Sequence, residues 1–300
     1  MTRTGAAPIP GAAAADPAAA EAALASLPLV YHAARGAWGL ADIRELWRFR
    51  ELFRALAVRD LKVKYRQTVI GVAWALIQPL ATALVFVLLF GLLGHVPAGG
   101  DLPYGLFVLP GVVLWQLFAG VLTQATTSLV ANQNLIGKVY FPRLILPAAA
   151  SATAVVDFAV GLAVVGGVMA YFGVTPGWGV VFAPAFVLLG LLTALAAGAW
   201  MSALNAIYRD AGFVIPFVLQ IGFFVSPVVY ATDVLIPDRW RPLLALNPMT
   251  GVLEGFRWSL FGRGPFPAGT VFIGAAVTAV ILTGGLWYFR RVEGYLADRI

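Results

Sequence analysis

Apolar residues in this chain come in long unbroken runs, and the polar residues are confined to the stretches between them. The runs cover about 69–94, 104–127, 144–172, 179–204, 213–230 and 270–289. Each is close to the roughly 20 residues that a helix needs to cross a ~30 Å hydrocarbon core at ~1.5 Å per residue. Continuous runs point to helices and not to the alternating strands of a barrel, and a spanning helix satisfies its own backbone polar groups. The predicted fold is all-α: a polytopic membrane protein with six transmembrane helices. The fifth run is the shortest and holds Pro216, Gly222 and the pair Ser226–Pro227, so a kink or break near its end is expected.

Three polar stretches carry a pattern of their own. Ahead of the first run, Leu46, Phe49, Leu52, Phe53 and Leu56 fall on one helical arc, with Arg44, Arg48, Glu51 and Arg59 opposite; this predicts an amphipathic helix lying in the membrane interface. Between the second and third runs, "SLVANQNLIGKVYFPR" predicts a short exposed helix ending at Gly137. Residues 231–269 are too polar for a span and too long for a simple loop. Their Trp240, Phe256, Trp258 and Phe261 predict short helices dipping back into the interface. Residues 1–43 are Ala/Pro-rich and interrupted by Pro8, Pro10, Asp16, Pro17 and Glu21, which predicts a disordered tail and not a signal peptide; 44–300 form the transmembrane domain.

Charge orients this scaffold. Apolar residues make up 61% and charged residues 11% of the 300, against roughly 25% charged in an average soluble domain. All but four of the 20 Lys and Arg fall in segments that share one side if both termini are cytoplasmic. The exceptions, Arg239, Arg241, Arg257 and Arg263, lie in one long segment, where the positive-inside rule counts less. The net charge of +6 is therefore an orienting and lipid-facing charge, not a nucleic-acid footprint.

Much chemistry is excluded. Cysteine is absent and the two histidines, His32 and His95, are far apart, so neither a disulfide framework nor a metal site is expected. There is no phosphate-binding Gly-x-x-x-x-Gly-Lys-Ser/Thr loop and no Gly-x-Ser-x-Gly elbow. Asp157 is the one acid inside an apolar run. It is either a functional group or a hydrogen-bonded structural one.

The stretch "RDLKVKYRQTVIGVAWALIQPL", with "YFPRLILP", "FFVSPVVY", "LNPMTGVLEGFR" and the terminal "FRRVEGYLADRI", resembles the permease subunit of ABC exporters of cell-surface polysaccharides such as O-antigen, capsule and teichoic acid. The resemblance covers nearly everything after residue 44. It implies a homodimer in the inner membrane, docked on two copies of a separate nucleotide-binding subunit that holds the ATP and Mg, with no cofactor on this chain. It also implies a lipid-linked polysaccharide as substrate, a gate helix near 44–62, a coupling helix near 129–141 and outer re-entrant helices near 235–262.

Within that frame Arg59, Lys62, Lys64 and Arg66 are candidates for the substrate diphosphate, since Arg and Lys are the usual phosphate contacts. Trp74, Gln78, Trp115, Gln116, Gln220 and Tyr230 are candidates for lining a glycan path, because sugars present C–H faces between hydroxyls. Asn132, Leu135, Lys138 and Tyr140 are candidates for the ATPase contact. Alternatives are a related permease exporting a drug or lipid, against which the motifs stand, and a polyprenyl-dependent transferase, which should show clustered acids in its cytoplasmic loops. A channel or secondary carrier would need a polar pathway inside one chain.

Overall fold

The computed structural model describes residues 40–66, 72–93 and 102–299. The expected Ala/Pro-rich tail, both histidines and the first residues of the first run lie outside these. No strand occurs among the described residues. Two consecutive helices, α1 (Leu40–Arg48) and α2 (Arg50–Arg66), precede the first span, where a single helix over 44–62 was expected. The spans follow as α3 (Val72–Phe86, continued by a π-helical stretch Val87–Leu93), α4 (Tyr104–Ala131), the pair α6 (Ile145–Ala150) and α7 (Ala152–Tyr171), α8 (Ala183–Ile207), α9 (Ala211–Val225) and α13 (Ala268–Arg299). Between α4 and α6 sits α5 (Gln133–Ile136).

Five of these segments are long and apolar enough to cross a membrane, and α9 is the short one. Its 15 residues reach roughly 22 Å. It stops at Ser226, whose extended backbone (φ −83°, ψ 147°) ends the helix where the sequence places a break.

The bundle is built around α4, which touches α3, α6, α7, α8, α9 and α12. Most of α4, 72% of its apolar window, is buried within the chain, against 11% for α3; α4 is therefore the core helix, and α3 gives most of its apolar surface to lipid or to another chain. Buried Thr193 and Thr278 hydrogen-bond across α8 and α13 at 2.8 Å, the kind of polar contact that holds helices together where hydrophobicity cannot.

A second hydrophobic cluster closes one end of the bundle. It brings Leu56 of α2, Leu129 of α4, Ile136 of α5, Phe141, Ile145 and Leu146, Ala203 of α8, and Phe289 and Val292 of α13 together. Leu46, Phe49 and Leu52 pack against it while Phe53 is exposed, so most of the predicted apolar arc rests on the bundle itself. This end gathers the basic residues of α1 and α2 with Lys138, Arg143, Arg290 and Arg291.

At the opposite end, residues 232–261 form α10 (Thr232–Leu235), a 3-10 turn, α11 (Arg241–Ala245) and α12 (Pro248–Phe261). Asn247 caps α12, accepting from the Met249 N–H at 3.1 Å, Pro248 takes the first helical position, and Gly262 closes it in the left-handed conformation at φ 62°. Arg257 is only 7% exposed yet fully used. Its Nε donates to the Phe107 carbonyl at 3.0 Å, its Nη1 to Pro227 O at 2.6 Å and its Nη2 to Val228 O, and it lies 4.0 Å from the Phe107 ring centroid. Burial lowers its pKa to about 10, which leaves it charged at neutral pH. One side chain thus clamps α12 to α4 and to the turn that follows α9.

Candidate functional site

A cleft of about 740 Å³ opens between the last turn of α2 and the helices α3, α4 and α7. Three residues at its basic end form a network. Lys64 pairs with the Asp157 carboxylate, and the Tyr65 hydroxyl donates to the other carboxylate oxygen at 2.5 Å. Burial and the neighbouring Asp157 raise the Tyr65 pKa well above its ordinary value, so this hydroxyl stays a donor. The intramembrane acid that sequence alone left open is therefore tied to two consecutive residues of the basic helix.

Helical spacing explains the rest of the lining. From α4, Val113, Gln116, Leu117, Gly120, Thr123 and Gln124 recur at intervals of three and four, and α3 supplies Trp74, Ala75 and Gln78. Gln124 is held by the Thr153 hydroxyl. Gly120 and Gly161 let α4 and α7 approach closely: a Cβ at Gly161 would stand 2.8 Å from Val113 Cγ1, and one at Gly120 3.0 Å from Ala154 Cβ.

Of the residues chosen from sequence for substrate, Lys64, Trp74, Gln78 and Gln116 meet in this cleft. Trp115 does not: it is 6% exposed and packs on Phe118 and Phe223, because neighbouring helical residues point about 100° apart and Gln116 holds the cleft-facing position. Gln220 is exposed on α9, and Tyr230 lies in the turn beyond it, donating to Val225 O at 2.9 Å. Arg59 points to the other predicted site, its Nη2 donating to the Asn132 side-chain oxygen at 2.8 Å while it also pairs with Asp60. Lys62 and Arg66 are exposed and enter no ion pair among the described residues.

The four partner candidates divide as well. Asn132 is engaged by Arg59 and donates to Ser128 O at 2.8 Å, and Leu135 packs into the second cluster, whereas Lys138 and Tyr140 are exposed beside exposed Val139. The cleft residues Thr123, Gln124 and Tyr65 escaped the sequence reading. The signal was present for the first two, since Gln116, Thr123 and Gln124 lie seven and eight residues apart on one face of an otherwise apolar helix.

Comparison with known proteins places this geometry in context. The model of the ABC-2 type transporter family matches residues 51–261. The chain is 29% identical to the O-antigen export system permease protein RfbA of Myxococcus xanthus over 82% of this chain and 92% of that protein. It is 26% identical to the protein of the same name from Klebsiella pneumoniae, over 83% and 94% respectively.

Proposed function

The chain belongs to the ABC-2 type transporter family, and from that premise we propose that it is the membrane-spanning subunit of an ATP-driven exporter of a lipid-linked, O-antigen-like polysaccharide. The observation that carries this reading is the near end-to-end match to two O-antigen export permeases, 92% and 94% of their lengths. The family match, residues 51–261, includes most of the amphipathic basic segment before the first span and of the half-buried segment after the fifth.

The division of labour follows from chemistry. This chain has no phosphate-binding loop, so hydrolysis belongs to a separate nucleotide-binding subunit that holds ATP and Mg. The exposed loop 137–140 is the surface offered to it. Two copies of this chain would face each other through helices such as α3 and α9, whose exposed apolar residues, among them Leu84, Leu88, Phe213 and Phe217, need lipid or a second subunit. The charge asymmetry favours a plasma-membrane protein with both termini in the cytoplasm, which sets the basic end inside.

The test is biochemical. Purified full-length chain should hydrolyse no ATP, and activity should appear on adding the nucleotide-binding subunit. Deletion of the chain should remove polysaccharide from the cell surface and leave lipid-linked chains inside. Robust ATPase activity in the isolated chain, or intact surface polysaccharide in the deletion strain, would overturn the assignment.

A further inference from the structure

The cleft holds more hydrogen-bonding groups than the protein itself uses. Lys64, Tyr65 and Asp157 bond to one another, and Gln124 to Thr153. By contrast, among the described residues the side chains of Trp74, Gln78, Gln116 and Thr123 make no hydrogen bond to protein, although all four line the cleft. Gln116 is roughly midway along α4. Trp74, Gln78 and Thr123 are exposed to the cleft and Gln116 is half-buried, so all four can reach an occupant. The Gln116 amide, within a spanning helix, is costly to leave without a partner; the set calls for a polar occupant.

Charge and shape narrow the class. The cation and the acid of the cleft already face each other, so the occupant need carry no charge there. The walls combine apolar groups (Ala75, Val113, Leu117, Phe158) with the unused amides, the hydroxyl and the indole. A hydrocarbon tail would leave those amides unpaired, and a phosphate would meet Lys64 only by displacing Asp157. A pyranose ring fits both surfaces, with C–H faces for the apolar wall and hydroxyls for the amides. The volume, about 740 Å³, falls within the roughly 300–1,000 Å³ of small-ligand sites.

We propose that this cleft, inside a single subunit, binds the sugar next to the diphosphate of the lipid-linked chain. Gln78, Gln116 and Thr123 hydrogen-bond its hydroxyls and Trp74 contributes its ring and N–H. The proposal rests on the polysaccharide-export reading. It makes the start of the chain, and not only the lipid diphosphate, a recognised feature.

The experiment uses full-length protein in lipid nanodiscs and two probes: a polyprenyl diphosphate carrying one N-acetylhexosamine, and the same polyprenyl diphosphate without sugar. The parent should bind the sugar-bearing probe about tenfold more tightly, the scale of one to two net hydrogen bonds. The double variant Gln78→Leu/Gln116→Leu should bind both probes equally, with its affinity for the sugarless probe unchanged. Equal binding of the two probes by the parent would overturn the sugar site and leave the export reading standing. Loss of both probes by the double variant would assign the cleft to the lipid or diphosphate and also overturn it. Failure of the parent to bind the sugar-bearing probe would likewise overturn the sugar site, while the export reading is judged by the ATPase and deletion experiments above.

Discussion

Lys64 on the last turn of α2 is paired with Asp157 on α7, so a basic helix outside the membrane spans is fastened to an acid within one. Both side chains are partly exposed to the cleft, 42% and 31%, so the pair lies where an occupant or a partner can reach it, and its value lies in where it holds α2. The chain has no cysteine, so Lys64→Cys/Asp157→Cys gives an unambiguous probe. A short bismaleimide should link the two positions in resting membranes, and the link should stop export if α2 moves during transport. Full export by fully linked protein would show that the helix stays in place.

The basic run divides into residues already engaged and residues that are not. Arg59 serves Asn132 and Lys64 serves Asp157, whereas Lys62 and Arg66 are exposed. Lys62→Gln/Arg66→Gln should therefore weaken binding of sugarless polyprenyl diphosphate, by about 1 kcal/mol per charge removed, without lowering thermal stability. High salt should shrink the difference between parent and variant. A variant that binds as the parent does at low salt would confine these charges to membrane orientation.

Arg257 makes the opposite kind of prediction, one about stability. Arg257→Met would leave the Pro227 and Val228 carbonyls without their side-chain donor, at about 1–3 kcal/mol for each unsatisfied group, and would remove the extra donor from the Phe107 carbonyl within α4. Arg257→Lys cannot reproduce the planar fork that reaches Phe107, Pro227 and Val228 together. Both variants should melt several degrees below the parent in detergent and expose the 226–262 segment to protease. Unchanged melting in Arg257→Met would mean that water takes over the carbonyls and that the clamp is dispensable.

How much of this could be read from sequence depends on whether a signal was local. Span positions, the early stop of α9 and the amphipathic arc at Leu46–Leu56 all follow from periodicity and helix breakers within a dozen residues, and the structure has them. The division of the basic segment into α1 and α2 at Phe49 was not legible, because apolar spacing runs smoothly across it. The cleft was half legible. Gln78 and Gln116 stand out as amides in apolar helices, but the pairing of Lys64 with Asp157 joins residues 93 apart in sequence, and no local pattern encodes it. Trp115 shows the limit from the other side, since only the packing of α9 on α4 decides which of two adjacent residues faces the cleft.

The loop after α4 gives the last prediction, and the structure changes how it should be tested. Leu135 and Ile136 pack into the cluster that closes the basic end, so shortening Leu135 damages this chain's own core. The surface on offer is Lys138, Val139 and Tyr140, with Tyr140 64% exposed. Interfaces are usually dominated by a few aromatic or apolar groups at their centre, and a rim charge contributes little. Val139→Ala/Tyr140→Ala should therefore still fold but lose the nucleotide-binding subunit on purification, or lose coupled export. Lys138→Ala should stay within about twofold of the parent, the scale of an exposed charge. Leu135→Ala should show the reverse pattern, a stability loss of about 2 kcal/mol with the partner retained wherever the chain folds. If Val139→Ala/Tyr140→Ala assembles and exports like the parent, the contact lies elsewhere, and the turn at Tyr208–Asp210, where Tyr208 is likewise exposed, is the next surface to alter.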